Sequence, residues 1–246
     1  MTNIDNKEQS RAGRRVRSLF ALAALVASPG CAAGEGEVEV RAWGESFIED
    51  GIPASEMDDG WAIAFSRFEV ELTEVSIAGV SLDDPGVLDI SEASDGRGQL
   101  VGRASVPAED YEDASFTLAQ VSIEGTASKD GEVKSFAWRF EPATHYSDCE
   151  TVTEVPRDGT GELQITIHAD HLFYDSLVSE EPGLGFDAVA AADLDADGEV
   201  TQEELAATDI GPYDPGNLDI DDMWSFLAAQ AQTMGHVDGE GHCHSD

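Results

Sequence analysis

Between residues 61 and 177 the apolar side chains recur with a period of two. Trp61, Ile63 and Phe65 alternate with small or polar residues, and Phe68, Val70 and Leu72 continue the alternation in the opposite phase. Such alternation turns one face of a strand toward a core. The change of phase at Arg67 predicts a β-bulge or a local twist. Runs at residues 115–123, 133–140 and 163–169 alternate in the same way, and Lys129-Asp130-Gly131 between the first two is a tight-turn signal. Phe136, Trp138 and Phe140 share one face and read as core. Short, one-sided strands without helical crossovers predict a mainly β fold, an antiparallel β-sandwich over residues 43–180.

The pattern changes after Pro182. Phe186, Val189 and Ala190 lead into an acidic stretch, residues 203–207 have helical composition, and Met223, Trp224, Phe226, Leu227 and Ala231 recur at helical spacing. This predicts a small C-terminal helical module over residues 181–234. The tail, residues 235–246, is rich in Gly and His and too polar to pack by itself.

The N-terminus stands apart from the fold. Arg11, Arg14, Arg15 and Arg17 precede an apolar run from Leu19 to Ala27, which is too short to span a membrane and reads as a signal peptide over residues 1–30. Ala27-Ser28-Pro29-Gly30-Cys31 resembles a bacterial lipobox. That resemblance implies a lipidated Cys31, a flexible tether over residues 31–42, and anchoring to the bacterial outer membrane on its periplasmic or surface face. With Cys31 lipidated, Cys149 and Cys243 remain, and in an oxidising compartment they either form a disulfide or stay as two thiols.

The 246 residues carry 51 acidic against 13 basic side chains, a formal charge of −38. Such a chain repels nucleic acid and anionic lipid, which excludes a phosphate-backbone partner; cations are its natural counterpart, although solubility alone accounts for many of the carboxylates.

One stretch has sharper chemistry. In Asp193-Leu194-Asp195-Ala196-Asp197-Gly198-Glu199-Val200-Thr201-Gln202-Glu203-Glu204 the carboxylates alternate, a glycine follows the third, and a glutamate closes the run. This resembles the EF-hand calcium loop at every defined position. The resemblance covers roughly residues 183–208 of the chain. It implies calcium ligands from the side chains of Asp193, Asp195 and Asp197, the carbonyl of Glu199, Thr201 directly or through water, and Glu204 with both oxygens. Val200 and Leu205, with Phe186 and Val189, would face inward. Residues 209–222 are oxygen-rich but broken by Pro212 and Pro215, and read as a connection ending in an N-cap for the last helix.

All six histidines lie in the C-terminal half. His168 and His171 close a strand, His242 and His244 flank Cys243, and His236 lies nearby. These are candidate ligands for copper or zinc, with His145, Asp170 or Asp175 as conceivable partners, yet neither group has the spacing of a recognised closed site. No G-x-S-x-G, H-E-x-x-H or phosphate-binding glycine loop is present. Asp58-Asp59 and Asp83-Asp84 lie beside glycine or proline and read as solvated turns. The expected function is therefore non-enzymatic calcium binding by an exported lipoprotein. A periplasmic copper- or zinc-binding protein and a cell-surface adhesion or assembly module are the alternatives.

Overall fold

The computed structural model describes residues 34–246. Residues 1–30, read from the sequence as a signal peptide, and the expected lipidation site Cys31 lie outside the described residues. Strands hold 44 % of the described residues and helices 14 %, so the fold is mainly β.

The first strand, β1 (Glu35–Trp43), lies at the heart of a four-stranded sheet. It leads through a short helix, α1 (Glu45–Glu49), to the long β2 (Ala62–Ile77), followed by β3 (Val80–Ser81), β4 (Val87–Asp89), β5 (Gln99–Pro107) and β6 (Asp110–Tyr111). Then come β7 (Ser115–Lys129), β8 (Glu132–Phe140), β9 (Thr144–Ser147), β10 (Thr153–Glu154) and β11 (Thr160–Ile167). The last strands are short: β12 (Glu199–Val200), β13 (Gly235–Val237) and β14 (His244–Ser245). The four-stranded sheet has the order β13-β11-β1-β5; a larger sheet runs β12-β8-β7-β2-β3, with β4 on β2 and β9, carrying β14, on β7. Inward residues of both sheets, such as Val40 and Ile165 from one and Phe68 and Ile123 from the other, belong to one buried cluster. This arrangement is consistent with a β-sandwich.

Several expectations are met at the level of single residues. The β2–β7 register shifts between Phe65 and Arg67, where the alternation changes phase. Lys129 pairs with Glu132 across a two-residue turn in which Asp130 and Gly131 both have positive φ, 51° and 91°. That is the geometry a two-residue hairpin needs to match strand twist. Phe136, Trp138 and Phe140 are all buried, and Phe136 stacks on Trp138 at 4.6 Å.

Four expectations are corrected. The sheets are mixed: β1 pairs with β11 in parallel, and so does β12 with β8. Alternation reports which face is buried and says nothing of a neighbour's direction, and strands far apart in sequence pair in parallel without a βαβ crossover. Second, the proposed tether contains all of β1 but Trp43, and Val38, Val40 and Ala42 are fully buried there. Its glutamates misled, because Glu39 is itself buried on the opposite face under Arg41 and Arg103.

Third, the tail is packed. Gly235, His236 and Val237 are buried as β13 against β11, β14 pairs with β9, and Cys149 and Cys243 form a disulfide. Fourth, the helices do not make a separate module. α2 (Asp187–Ala190), α3 (Gln202–Ala206) and α4 (Met223–Gln230) are short, and Phe186, Val189, Phe226 and Leu227 join the core shared with the sheets. The described residues, 34–246, belong to one compact unit.

Asp59 is likewise more than a solvated turn residue. Its Oδ2 accepts from the backbone N–H groups of Phe186 and Asp187, at 2.5 and 2.7 Å, and holds the start of α2. Among the described residues no helix is long and apolar enough to cross a membrane.

Candidate metal centres

The acidic loop follows α2 and leads into α3. Each carboxylate is turned inward by the backbone N–H groups of its own loop. Asp193 Oδ1 accepts from Asp197 N at 3.1 Å, and Asp193 Oδ2 from Gly198 N at 3.0 Å. Asp195 Oδ1 accepts from Asp197 N, and Asp197 Oδ1 from Glu199 N. The carboxylate oxygens of Asp193, Asp195 and Asp197 thereby come within 4.8 Å of one another. Ala196 and Gly198 supply the sharp bends with φ of 61° and 90°. At Gly198 that conformation costs nothing, because there is no Cβ to clash.

Thr201 and Glu204 form a reciprocal capping box at the start of α3. Glu204 Oε2 accepts from Thr201 N and Oγ1, while Oε1 reaches back to Leu194 N at 2.9 Å. Glu204 thus closes the loop onto its opening residues. The Thr201 bonds hold its carboxyl below the usual range.

In the middle of the loop, Glu199 and Val200 pair in parallel with Ser135 and Phe136 of β8. Ser135 N donates to Gly198 O, and Trp138 Nε1 to Val200 O at 2.7 Å. Val200 and Leu205 are fully buried. Lys134, also on β8, puts Nζ 2.7 Å from Asp193 Oδ2, and this bond holds the Asp193 carboxyl below its ordinary value. Asp222 caps α4 through Ser225 N, as the connection reading expected.

The second centre lies at the far end of β11. In the β11–β13 pair, His236 stands opposite Thr166. Thr166 and His168 share a strand face, which makes His168 and His236 diagonal neighbours. Their ring centroids are 4.4 Å apart. The chain then bends into a 3₁₀ turn, Asp170–Phe173, that brings His171 to 5.3 Å from His168 and 5.2 Å from His236. His242 arrives by another route, across the hairpin after β13 and held by the neighbouring disulfide, with its ring 5.1 Å from that of His236.

Hydrogen bonds fix two of these rings. Thr233 Oγ1 donates to Gln230 O, so it accepts from His171 Nδ1 at 2.9 Å, leaving His171 Nε2 with its lone pair. His168 Nε2 faces the carbonyl of Gly239 at 3.2 Å and must carry the proton, which leaves Nδ1 free. That Nδ1 lies 3.9 Å from both Asp170 Oδ1 and Glu45 Oε2. Tyr174 donates to the other Asp170 oxygen at 2.8 Å. His236 is 6 % exposed, and its Nδ1 has no hydrogen-bond partner. Burial pushes His171 down to about 4 and His236 down to about 3, so both rings are neutral at pH 7.

The structure therefore joins His168, Asp170 and His171 with His236 and His242, two groups the sequence kept apart, and adds Glu45. His244 does not belong: it is exposed and faces Asp246. His145 bonds Thr117 and Asp175 bonds Gly183, both outside the group. Sequence reasoning placed His236 with the tail pair His242 and His244, not beside His168. The signal was the short apolar stretch Met234-Gly235-His236-Val237, which reads as a strand only once β11 is known to accept it. Comparison with family models, with curated proteins and with solved structures returns no match for this chain.

Proposed function

We propose that the protein is an exported, lipid-anchored calcium-binding protein without catalytic function, in which the ion is a structural part of a β-sandwich carrying one EF-hand loop. The convergence of Asp193, Asp195 and Asp197 in a loop closed by Glu204 is the observation that carries this reading. Three carboxylates and a bidentate glutamate supply the hard oxygen donors calcium takes, and the size of the closing glutamate favours it over magnesium. Export and anchoring rest on the Arg-rich leader and the lipobox-like residues ending at Cys31.

A structural role suits the surroundings of the loop. Its central residues are hydrogen-bonded to β8, so an ion would fasten the segment between α2 and α3 to the sheet edge and would not open a helix pair. Affinity on the order of 10⁻⁴ to 10⁻³ M, the range of extracellular modules, gives constant occupancy. Calorimetric titration of the metal-free protein with calcium, beside Glu204→Gln, tests the proposal. One binding event that the substitution abolishes is expected; no binding at millimolar calcium defeats it.

A further inference from the structure

The histidine cluster is chemically unlike the loop, and its nitrogens are suited to a different class of ion. The ligand atoms of His168, Asp170 and His171 lie within 4.8 Å of one another. An imidazole nitrogen sits about 2.0–2.1 Å from zinc, with the ring centre roughly 1.1 Å further out. Two rings on one ion therefore have centroids about 5.2 Å apart at the tetrahedral angle and about 4.5 Å apart at a right angle. The separations among His168, His171 and His236 are 4.4, 5.2 and 5.3 Å.

Independent of this spacing is the state of His236. A buried polar atom without a partner costs about 1–3 kcal/mol, and proteins retain few. The His236 Nδ1 atom is such a group, in a ring packed against two others whose second nitrogens are already tied to Gly239 and Thr233. Those bonds, and that of Tyr174 to Asp170, are the outer partners that orient ligands in metal sites.

We infer that His168, Asp170, His171 and His236 form a second metal site, for a borderline divalent transition ion of the copper(II) or zinc(II) class. Imidazole with one carboxylate suits these ions, and the lack of a thiolate among the described residues, where Cys149 and Cys243 are joined in the disulfide, disfavours copper(I). His171, His236 and His242 line a surface cleft of about 220 Å³, which gives an ion a way in. The exposed His242 stands at its mouth as an additional donor.

The test titrates the metal-free protein with copper(II) and, separately, zinc(II), following copper by electron paramagnetic resonance. One equivalent should bind, with nitrogen superhyperfine structure from several imidazoles. His171→Ala, at a partly exposed position, and His236→Ala should each weaken binding by more than about 100-fold, since even outer-shell partners contribute 10–100-fold. Circular dichroism confirms folding of each, and His171→Ala decides the matter should His236→Ala not fold. His244→Ala should bind as the parent does, and Glu204→Gln should lose calcium while keeping copper, so the two sites fail or stand separately. Undiminished binding in folded His171→Ala, loss only in His244→Ala, or no binding at micromolar metal would each overturn the inference.

Discussion

Lys134 Nζ lies 2.7 Å from Asp193 Oδ2, placing an ammonium beside the first carboxylate of the acidic loop. The Asp193 side chain is only 1 % exposed, so without the lysine its charge would lack a close cation. Like-charge repulsion between an ammonium and calcium a few ångströms away amounts to about 1–2 kcal/mol even at high dielectric. Lys134→Met should therefore tighten calcium binding by about tenfold while lowering the melting temperature of the metal-free protein. Parallel calorimetry and thermal melts read both signs; looser calcium binding would show that the lysine positions Asp193 for the ion.

Glu39 predicts an acid-sensitive core edge. Burial alone raises its carboxyl, but hydrogen bonds from Arg103 and Arg41 outweigh burial and hold it below its ordinary value of 4.5. A depressed folded value means that the contribution is complete above the unfolded value and is lost as pH falls through the folded one. Glu39→Gln should cost about 1–3 kcal/mol at pH 7, because two guanidinium groups lose a charged partner. The gap between parent and variant should close as pH drops below about 4, which denaturant titrations across pH will show.

Gly235 has no room for a methyl group. A Cβ there would meet the Tyr146 ring at 2.5 Å, and that ring is fixed by donation to Gln232 O and acceptance from Gly235 N. Gly235→Ala should destabilise the fold by about 1–3 kcal/mol, the usual cost of overpacking. It should also disturb its neighbour His236, so copper binding should weaken in the folded fraction while calcium binding is kept.

The Cys149–Cys243 disulfide closes a separation of 94 residues. Cys149→Ser with Cys243→Ser should cost about 2–5 kcal/mol. Hydrogen exchange should then quicken at the amides of His145 and Asp246, which bond each other's carbonyls. Unchanged exchange there would mean that β9 and β14 hold the tail unaided.

Local pattern in the sequence determined much of this protein. The alternation through Phe65 and Phe68, the Lys129–Gly131 turn, the buried face of Phe136 and Trp138, the cap at Asp222 and the spacing of the loop carboxylates all depend on residues close together along the chain, where φ/ψ preferences and side-chain periodicity act directly. Tertiary structure alone decided that β1 runs parallel to β11, that Glu199 and Val200 pair with β8, and that Glu39 is buried. It also assembled His168 and His236, which a short β13 pairing brings together from opposite ends of a long stretch of chain. Nothing local encodes that pairing: it depends on the non-local hydrogen bonds of a sheet edge, and on a core that receives the strand only once the rest has folded.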